Sequence, residues 1–256
     1  MSPPWVTITG ATSIGRPAHA GCIVRAGSLY GERVRGGRQE IPRPPGTAPG
    51  GPAPWLGVTD REPGTLAGVR AALERRGPGR PAPFEAPAGR ASAVLVPLYE
   101  DGSGLHVVLT RRAAHLRFHR GEVSFPGGGQ DPDDPHLVAT ALRESQEEIG
   151  LDPDAVEVVG ELDHLATLSS RSAIVPYVGA LPGRPELTPN PNEVERILHV
   201  PFAELLLEEV YREERWGPEH EPRRMHFFEL HGDTVWGATA RILHQLLCVA
   251  TGADEG

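Results

Sequence analysis

The chain has 256 residues, with 25 basic side chains against 34 acidic ones and a formal net charge of −9 at pH 7. This acidic balance gives no bulk attraction to nucleic acid or anionic lipid, so we predict neither as a partner. Every basic side chain is arginine, which excludes P-loop NTPases and protein kinases, because both place a lysine on phosphates, and Schiff-base catalysis, which needs an amine.

The first third of the chain is dominated by proline and glycine, which supply 30 of residues 1–90. Such density is typical of turns and disorder, and the run IPRPPGTAPGGPAP at 41–54 is typical of a flexible or extended linker. We predict a flexible extension, largely disordered, over 1–60, then a short helix and linker over 61–90. The helix is predicted at 65–76 because apolar residues recur there at helical spacing.

From residue 91 onward the pattern changes to strands mixed with helices. A strong strand at 91–100 and a returning strand at 105–112 flank the turn DGSG and predict a hairpin. Because strands and helices do not alternate strictly, we predict an α/β or α+β sandwich rather than a doubly wound sheet. Pro176 indicates an edge position or a bulge in its strand. Further strands are predicted at 155–162, 172–181, 197–201 and 225–230, and further helices at 136–150, 202–208 and 234–250.

The predicted helix at 136–150 carries three carboxylates on one face. On a helical wheel Glu148 lies about 40° from Glu144, and Glu147 lies about 60° to the other side. Neighbouring carboxylates repel each other unless a cation lies between them, and oxygen ligands favour Mg²⁺, Mn²⁺ or Ca²⁺. The opposite, mostly apolar face is predicted to pack on a core, and it consists of Val138, Leu142, Ser145 and Ile149.

This segment resembles the motif of the Nudix hydrolases: Gly, five residues, Glu, seven residues, then R-E-U-x-E-E-x-G-U, where U is aliphatic. Here Gly128 lies six positions before Asp134, and RESQEEIGL occupies 143–151. Two features depart from the pattern. Asp134 replaces the first Glu, with eight residues before Arg143, and Ser145 replaces an aliphatic residue. The central R-E-x-x-E-E-x-G run is intact.

A more specific resemblance begins upstream of the glutamates. The run VVLTRRAAHLRFHRGEVSFPGG at 107–128 is similar to the leader of the coenzyme A pyrophosphatase branch, L-T-x-R … G-x-V-x-F-P-G-G. Further matches are VPYV at 175–178, NEV at 192–194 and WGATARIL at 236–243. The resemblance implies a Nudix hydrolase domain over 91–252, with an α/β/α sandwich built on a mixed β-sheet. It also implies cleavage of coenzyme A to 4′-phosphopantetheine and adenosine 3′,5′-bisphosphate.

The same resemblance implies roles for individual residues. Glu144, Glu147 and Glu148 would hold Mg²⁺ or Mn²⁺, and the general base would be one of these glutamates or Glu193 from the loop at 182–196. The structural residues would be Arg143, which pairs with a glutamate, Asp134, which orders the loop, and Gly150. The substrate-binding candidates are Arg111, Arg112, Arg117, Arg120, Gly127 and Gly128.

An arginine fork suits phosphate oxygens. For any one of the four arginines, the alternative is a salt bridge with this acidic domain.

Two other functions remain open at this point. The domain could cleave another substrate, such as ADP-ribose, NADH or a dinucleoside polyphosphate, or it could be a non-catalytic nucleotide-binding regulator. Cys22 and Cys248 lack metal-ligand spacing, and no run reaches the ~20 apolar residues of a membrane span. We expect a cytoplasmic protein, monomer or homodimer, whose partner is a small nucleotide of the coenzyme A type.

Overall fold

The computed structural model describes residues 35–37, 39–58, 64–82, 91–166, 173–218, 220 and 222–255, which belong to one compact unit, Arg33–Gly256. Residues 1–34 of the predicted extension lie outside the described residues. The helices are α1 Leu66–Arg76, α2 Leu137–Ile149, α3 Phe202–Leu205 and α4 Gly237–Thr251, with 3₁₀ turns at Pro54–Gly57 and Pro153–Ala155. The strands are β1 Ala48–Pro49, β2 Ala91–Asp101, β3 Gly104–Arg112, β4 Val123–Ser124, β5 Gly127–Gly129, β6 Glu157–Glu161, β7 Leu165–Ala166, β8 Ala173–Ala180, β9 Val194–Pro201, β10 Tyr211–Trp216, β11 Arg223–Leu230 and β12 Asp233–Val235.

A mixed sheet organises the domain, with the strand order β4-β3-β2-β8-β6. Strands β2 and β3 form the predicted antiparallel hairpin, closed at the pair Asp101 and Gly104. Strand β2 also runs parallel to β8, from the pair Ala91 and Ala173 onward. Three further strands pair with this sheet: β5 with β2, β7 with β8, and β9 with β3. The prediction of a mixed sheet is confirmed.

Alternation along β2 creates two cores, because successive side chains of a strand point to opposite faces. Ala93 and Leu95 pack on the side of α2, with Ile149. Val96 and Leu98 pack on the other side, where α1, α4 and a second sheet of order β1-β10-β11-β12 cover them. The layers therefore form the predicted α/β/α sandwich. No helix within the described ranges has the length and apolar character of a membrane span.

For 41–54 the structure contradicts the flexible alternative, because part of the segment is extended and paired. Strand β1 pairs with β10 at Ala48 and Arg215, and Trp55, directly after the run, is fully buried. The indole of Trp55 donates a hydrogen bond to the Leu206 carbonyl (3.2 Å) and stacks on Phe228. Proline is compatible with an edge strand, so a segment with this composition still docks when it carries one large apolar anchor.

Pro176 lies inside the sheet, so its predicted edge position is wrong. Strand β8 has β2 on one side and β6 and β7 on the other. The pairing with β7 covers Ala173 and Ile174, and the pairing with β6 starts at Tyr177. The proline, which has no N–H to donate, falls where the neighbouring strand changes, and its carbonyl accepts from Leu162 N (2.9 Å).

Two helices are shorter than predicted. The helix expected at 202–208 is the single turn α3. The helix expected at 234–250 begins at Gly237, because Thr234 and Val235 pair with β11 instead.

Candidate active site

Helix α2 buries a different face from the one its apolar residues predicted. Ser145 and Ile149 are fully buried, as expected, but Val138 and Leu142 are only partly covered. Glu148, from the predicted carboxylate face, is 2% exposed. The Ser145 hydroxyl donates to the Ala141 carbonyl (2.6 Å), which satisfies the buried polar group. The helix is therefore rotated so that one carboxylate enters the interior.

Glu148 is the most deeply buried of the three glutamates. Its Oε2 accepts a hydrogen bond from Gly127 N (3.3 Å), and its Oε1 lies 3.7 Å from Arg112 Nη1. Burial raises the pKa of Glu148 to about 8; Arg112 and the Gly127 N–H oppose this, whereas the charges of Glu193 and Glu144 add to it. Its charge is therefore incompletely compensated by the protein.

Glu144 and Glu147 are progressively more exposed. The Glu144 side chain is 17% exposed and its Oε1 lies 3.1 Å from Arg143 Nη2. Burial raises the pKa of Glu144, although Arg143 opposes the shift. The Glu147 side chain is 56% exposed, and its Oε2 accepts from Arg143 Nη1 (3.1 Å). The exposed fraction of the side chain thus increases from Glu148 through Glu144 to Glu147.

The glycine strand β5 makes room for the Glu144 carboxylate on one side and for strand β2 on the other. At Gly128 a Cβ would lie 2.5 Å from Glu144 Cδ. Gly127 has φ +151°, and a Cβ there would clash with the Ala93 carbonyl on β2. Side chains at these two positions would separate β5 from its neighbours, so the glycines allow α2 to approach the sheet closely.

Arg143 joins helix α2 to the acidic loop before it. Its Nε and Nη2 donate to the two carboxylate oxygens of Asp134, each at 2.9 Å. Asp134 also accepts from Asp131 N and Thr140 Oγ1, both at 2.9 Å. The Arg143 guanidinium, together with these hydrogen bonds, holds the pKa of Asp134 well below its usual range. Asp134 therefore orders the loop through hydrogen bonds rather than through contact with the buried glutamates.

Glu193 approaches the glutamates from the loop before β9. Its carbonyl accepts from Ala113 N (2.8 Å), and its own N–H donates to Asn190 O (3.0 Å). Its charge contributes to the raised pKa of both Glu144 and Glu148. The fold therefore brings Glu193 to the carboxylates of α2 although it is 45 positions beyond Glu148 in the sequence.

The four candidate arginines divide into three situations. Arg112 faces Glu148, whereas Arg111, the adjacent residue of β3, pairs with the fully buried Asp233 (2.9 Å). For Arg111 the salt-bridge alternative is the one observed. Arg117 lies over the Phe118 ring (5.1 Å), and neither Arg117 nor Arg120 has an ion pair within the described ranges. Sequence reasoning did not identify Asp233, which also pairs with Arg196.

Helix α2 ends at Gly150, which adopts a left-handed conformation with φ +68°. Its N–H donates to Gln146 O (2.9 Å), and the following Leu151 N–H donates to Ser145 O (3.4 Å). This pattern is a common helix termination that glycine adopts without strain. It places the last carboxylate of the helix two residues from the chain reversal.

The carboxylate oxygens of α2 and of Glu193 are ligands that suit a hard divalent cation. Among the described residues, however, no three His, Cys, Asp or Glu side chains are already arranged around one point. Glu147 is turned toward Arg143. Glu144, Glu148 and Glu193 nevertheless repel each other, and a buried carboxylate with incomplete compensation is stabilised by a cation. A cleft of about 550 Å³ adjoins Glu144, between Arg143 and the loop at 130–134.

Comparison with known proteins agrees with this fold. The NUDIX domain profile matches residues 89–220. The uncharacterised Nudix hydrolase NudL of Photorhabdus laumondii is 41% identical over 160 residues, covering 61% of this chain and 83% of the relative. Nudix hydrolase 22, chloroplastic, of Arabidopsis thaliana is 43% identical over 159 residues, covering 59% of this chain and 52% of the relative. The chain thus spans about half the length of the plant protein.

Solved structures show the same similarity. A MutT/nudix family protein from Enterococcus faecalis has a TM-score of 0.45 and 16% identity, covering 71% of this chain and 73% of that chain. The NUDIX domain of Shewanella oneidensis NrtR, solved with ADP ribose, has a TM-score of 0.39 and 22% identity, covering 47% of this chain and 77% of that chain.

The fold and the matched profile define an enzyme of the pyrophosphohydrolase class. The chain belongs to the Nudix hydrolase family. Enzymes of this family generally use divalent metal ions such as Mg²⁺ or Mn²⁺.

Proposed function

We propose that this protein is a Mg²⁺- or Mn²⁺-dependent hydrolase of the diphosphate bond of coenzyme A or its derivatives. The products would be 4′-phosphopantetheine and adenosine 3′,5′-bisphosphate. The observation that carries the proposal is the path of the leader at 107–128. It begins in β3, whose Arg112 faces Glu148, and it returns at Gly127, whose N–H donates to the same carboxylate. The leader, which resembles that of the coenzyme A branch, therefore lies against the glutamates, and this position supports the proposal.

In this proposal Glu144, Glu147 and Glu148 hold the metal. A bound divalent ion would neutralise phosphate oxygens and lower the pKa of bound water. Glu147 would exchange its exposed contact with Arg143 for the metal, while Arg143 keeps its two bonds to Asp134. Surface ion pairs contribute at most about 1 kcal/mol, so this exchange requires little free energy.

Glu193 is our candidate for the general base. It lies on a loop whose backbone is fixed to the leader at Ala113 and to Asn190, so its carboxylate can accept a proton without moving the metal ligands. The alternative base is Glu144, whose pKa is raised by burial. A carboxylate is an effective base when its pKa approaches the working pH.

The 3′-phosphate of coenzyme A needs cations away from the metal. Arg117 and Arg120 suit this role, because both are exposed and lack ion pairs among the described residues. Arg111 does not, because Asp233 already holds it. The side chain of Phe118, which is 66% exposed beside Arg117, offers an apolar surface to the rest of the ligand.

A substrate panel tests the proposal directly. Coenzyme A, its dephospho form, ADP-ribose, NADH and a diadenosine polyphosphate are compared at equal concentration with Mg²⁺ and with Mn²⁺, and products are identified by mass spectrometry. We expect coenzyme A or an acyl ester to have the highest kcat/KM, with 4′-phosphopantetheine as a product. Much faster cleavage of ADP-ribose would refute the substrate, and nucleotide binding without turnover would refute the enzyme activity.

A further inference from the structure

A second cavity, of about 760 Å³, lies on the face of the mixed sheet opposite to α2. It is bounded by the end of α1, by β11 and by α4, and none of its lining residues belongs to α2 or β5. A cavity of this size can hold a small ligand. Its lining is strongly basic, with five arginines, Arg75, Arg76, Arg80, Arg224 and Arg241, against two carboxylates, Asp254 and Glu255.

Two further acids, Asp163 and Glu213, neutralise only some of these arginines. Arg75 and Arg241 are exposed and have no carboxylate within ion-pair distance in the described part of the chain. The Nη1 atom of Arg76 is buried without a hydrogen-bond partner, which is costly for a charged donor. The cavity therefore has an excess of cationic donors. The existing pairs are Arg76 with Asp163, Arg80 with Asp163 (2.7 Å) and Arg224 with Glu213 (2.8 Å).

The carboxylate of Glu255 occupies the point where several of these donors converge. Its Oε2 accepts a hydrogen bond from Gln245 Nε2 (2.9 Å) and lies 3.5 Å from Arg80 Nη2. Its Oε1 lies 3.9 Å from Arg76 Nη2. An amide and two guanidinium groups thus already surround an oxyanion supplied by the chain itself, at the end of the segment that follows α4.

We propose that this cavity binds a small phosphate-bearing anion, away from the catalytic glutamates, and that Glu255 competes with it. A phosphate group presents more charge and more acceptor oxygens than one carboxylate, and arginine forks match its geometry. It can therefore also use the exposed guanidinium groups of Arg75 and Arg241. The inference is independent of the proposed substrate, because the two sites share no residue.

Isothermal titration of the full-length protein tests this proposal, with inorganic phosphate and glycerol 3-phosphate as the two probes. EDTA is present so that no metal carries phosphate to the glutamates. We expect Arg75→Ala/Arg241→Ala to weaken phosphate binding about tenfold, and Glu255→Gln to strengthen it by about two- to fivefold, since the competing charge is removed. If Arg75→Ala/Arg241→Ala weakens the binding of both probes, the ligand is assigned as a phosphate monoester. If it weakens the binding of inorganic phosphate alone, the ligand is assigned as the free ion.

The matched control is Arg184→Ala/Arg215→Ala, which removes the same charge from exposed positions outside the cavity. Equal binding by both double variants would overturn the proposal, as would the absence of binding in both the wild type and Glu255→Gln. If Arg75→Ala/Arg241→Ala fails to fold by circular dichroism, Glu255→Gln decides alone. Tighter binding then supports competition, and unchanged binding rejects it.

Discussion

Replacing Glu148 by glutamine should stabilise the metal-free protein while it removes a proposed metal ligand. Burial raises the pKa of Glu148 from 4.5 to about 8. In the unfolded chain this carboxyl ionises from pH 4.5 upward, whereas in the folded chain it stays largely protonated until about pH 8. The contribution of Glu148 to folding stability is therefore fully present below pH 4.5 and is lost as the pH rises toward 8.

The size of this effect follows from the same shift. One pKa unit corresponds to about 1.4 kcal/mol, and pH 7 lies 2.5 units above the ordinary value, so the metal-free wild type loses about 3 kcal/mol at pH 7. At pH 5 the loss is below about 1 kcal/mol by the same relation. Glutamine keeps an acceptor for the Gly127 N–H and does not ionise. Glu148→Gln should therefore gain about 2 to 3 kcal/mol over the wild type between pH 5 and pH 7.

Urea unfolding at pH 5 and pH 7 in EDTA measures this gain. Glu147→Gln is the matched control, because it makes the same change on the same helix at an exposed position. Added Mn²⁺ should stabilise the wild type and leave Glu148→Gln almost unchanged, since binding to the native state alone raises stability. A free energy of unfolding that differs between Glu148→Gln and the wild type by the same amount at both pH values would refute the reasoning.

Three further changes test other parts of the structure. Gly128→Ala should lower kcat/KM at least about tenfold by pushing aside Glu144, a proposed metal ligand, whereas Gly129→Ala, with nothing within 4 Å of the added Cβ, should not. Equal effects of the two substitutions would exclude the close approach of Glu144 to Gly128. Arg117→Ala should raise KM for coenzyme A more than for the dephospho form in steady-state assays, and equal shifts would exclude it as a reader of the 3′-phosphate. Trp55→Ala should lower the free energy of unfolding by about 3 to 5 kcal/mol in urea melts, and a loss below about 1 kcal/mol would mean that this segment does not stabilise the domain.

Local periodicity in the sequence predicted the elements whose residues carry a clear helical or alternating pattern, such as the β2–β3 hairpin and helix α2. Strand β10 was missed because its sequence, YREERW, shows no apolar alternation. Its acids are covered by arginines from other segments: Glu213 pairs with Arg224 of the neighbouring strand β11 (2.8 Å), and Glu214 pairs with the distant Arg43 (2.9 Å). Whether such a charged segment becomes a strand depends on its ion pairs with residues outside the segment. These ion pairs cannot be predicted from the composition of the segment alone.

The candidate site was predictable in membership but less so in geometry. The spacing of the glutamates identified the helix, and the leader motif identified the arginines near it. Successive side chains of β3 point to opposite faces of the sheet, so its alternation decides which arginine faces the carboxylates. Arg112 points to Glu148, whereas Arg111 points to Asp233, which lies 122 positions further along the chain. No local signal marks Asp233, because its burial is created by the second sheet.

The burial gradient along α2 connects the stability of this protein with its chemistry. A helix that exposed all three carboxylates to water would fold more easily, because exposed neighbours are screened by solvent. Here the rotation of α2 buries Glu148 beside the Gly127 N–H, while Glu147 stays exposed beside Arg143. A buried carboxylate attracts a cation strongly because water no longer screens it, and an exposed one can rearrange when the cation arrives. The destabilisation of the metal-free protein by Glu148 and the freedom of Glu147 to rearrange therefore both follow from the orientation of α2. A variant that removes the destabilisation at Glu148 should weaken metal binding in proportion to the stability that it gains.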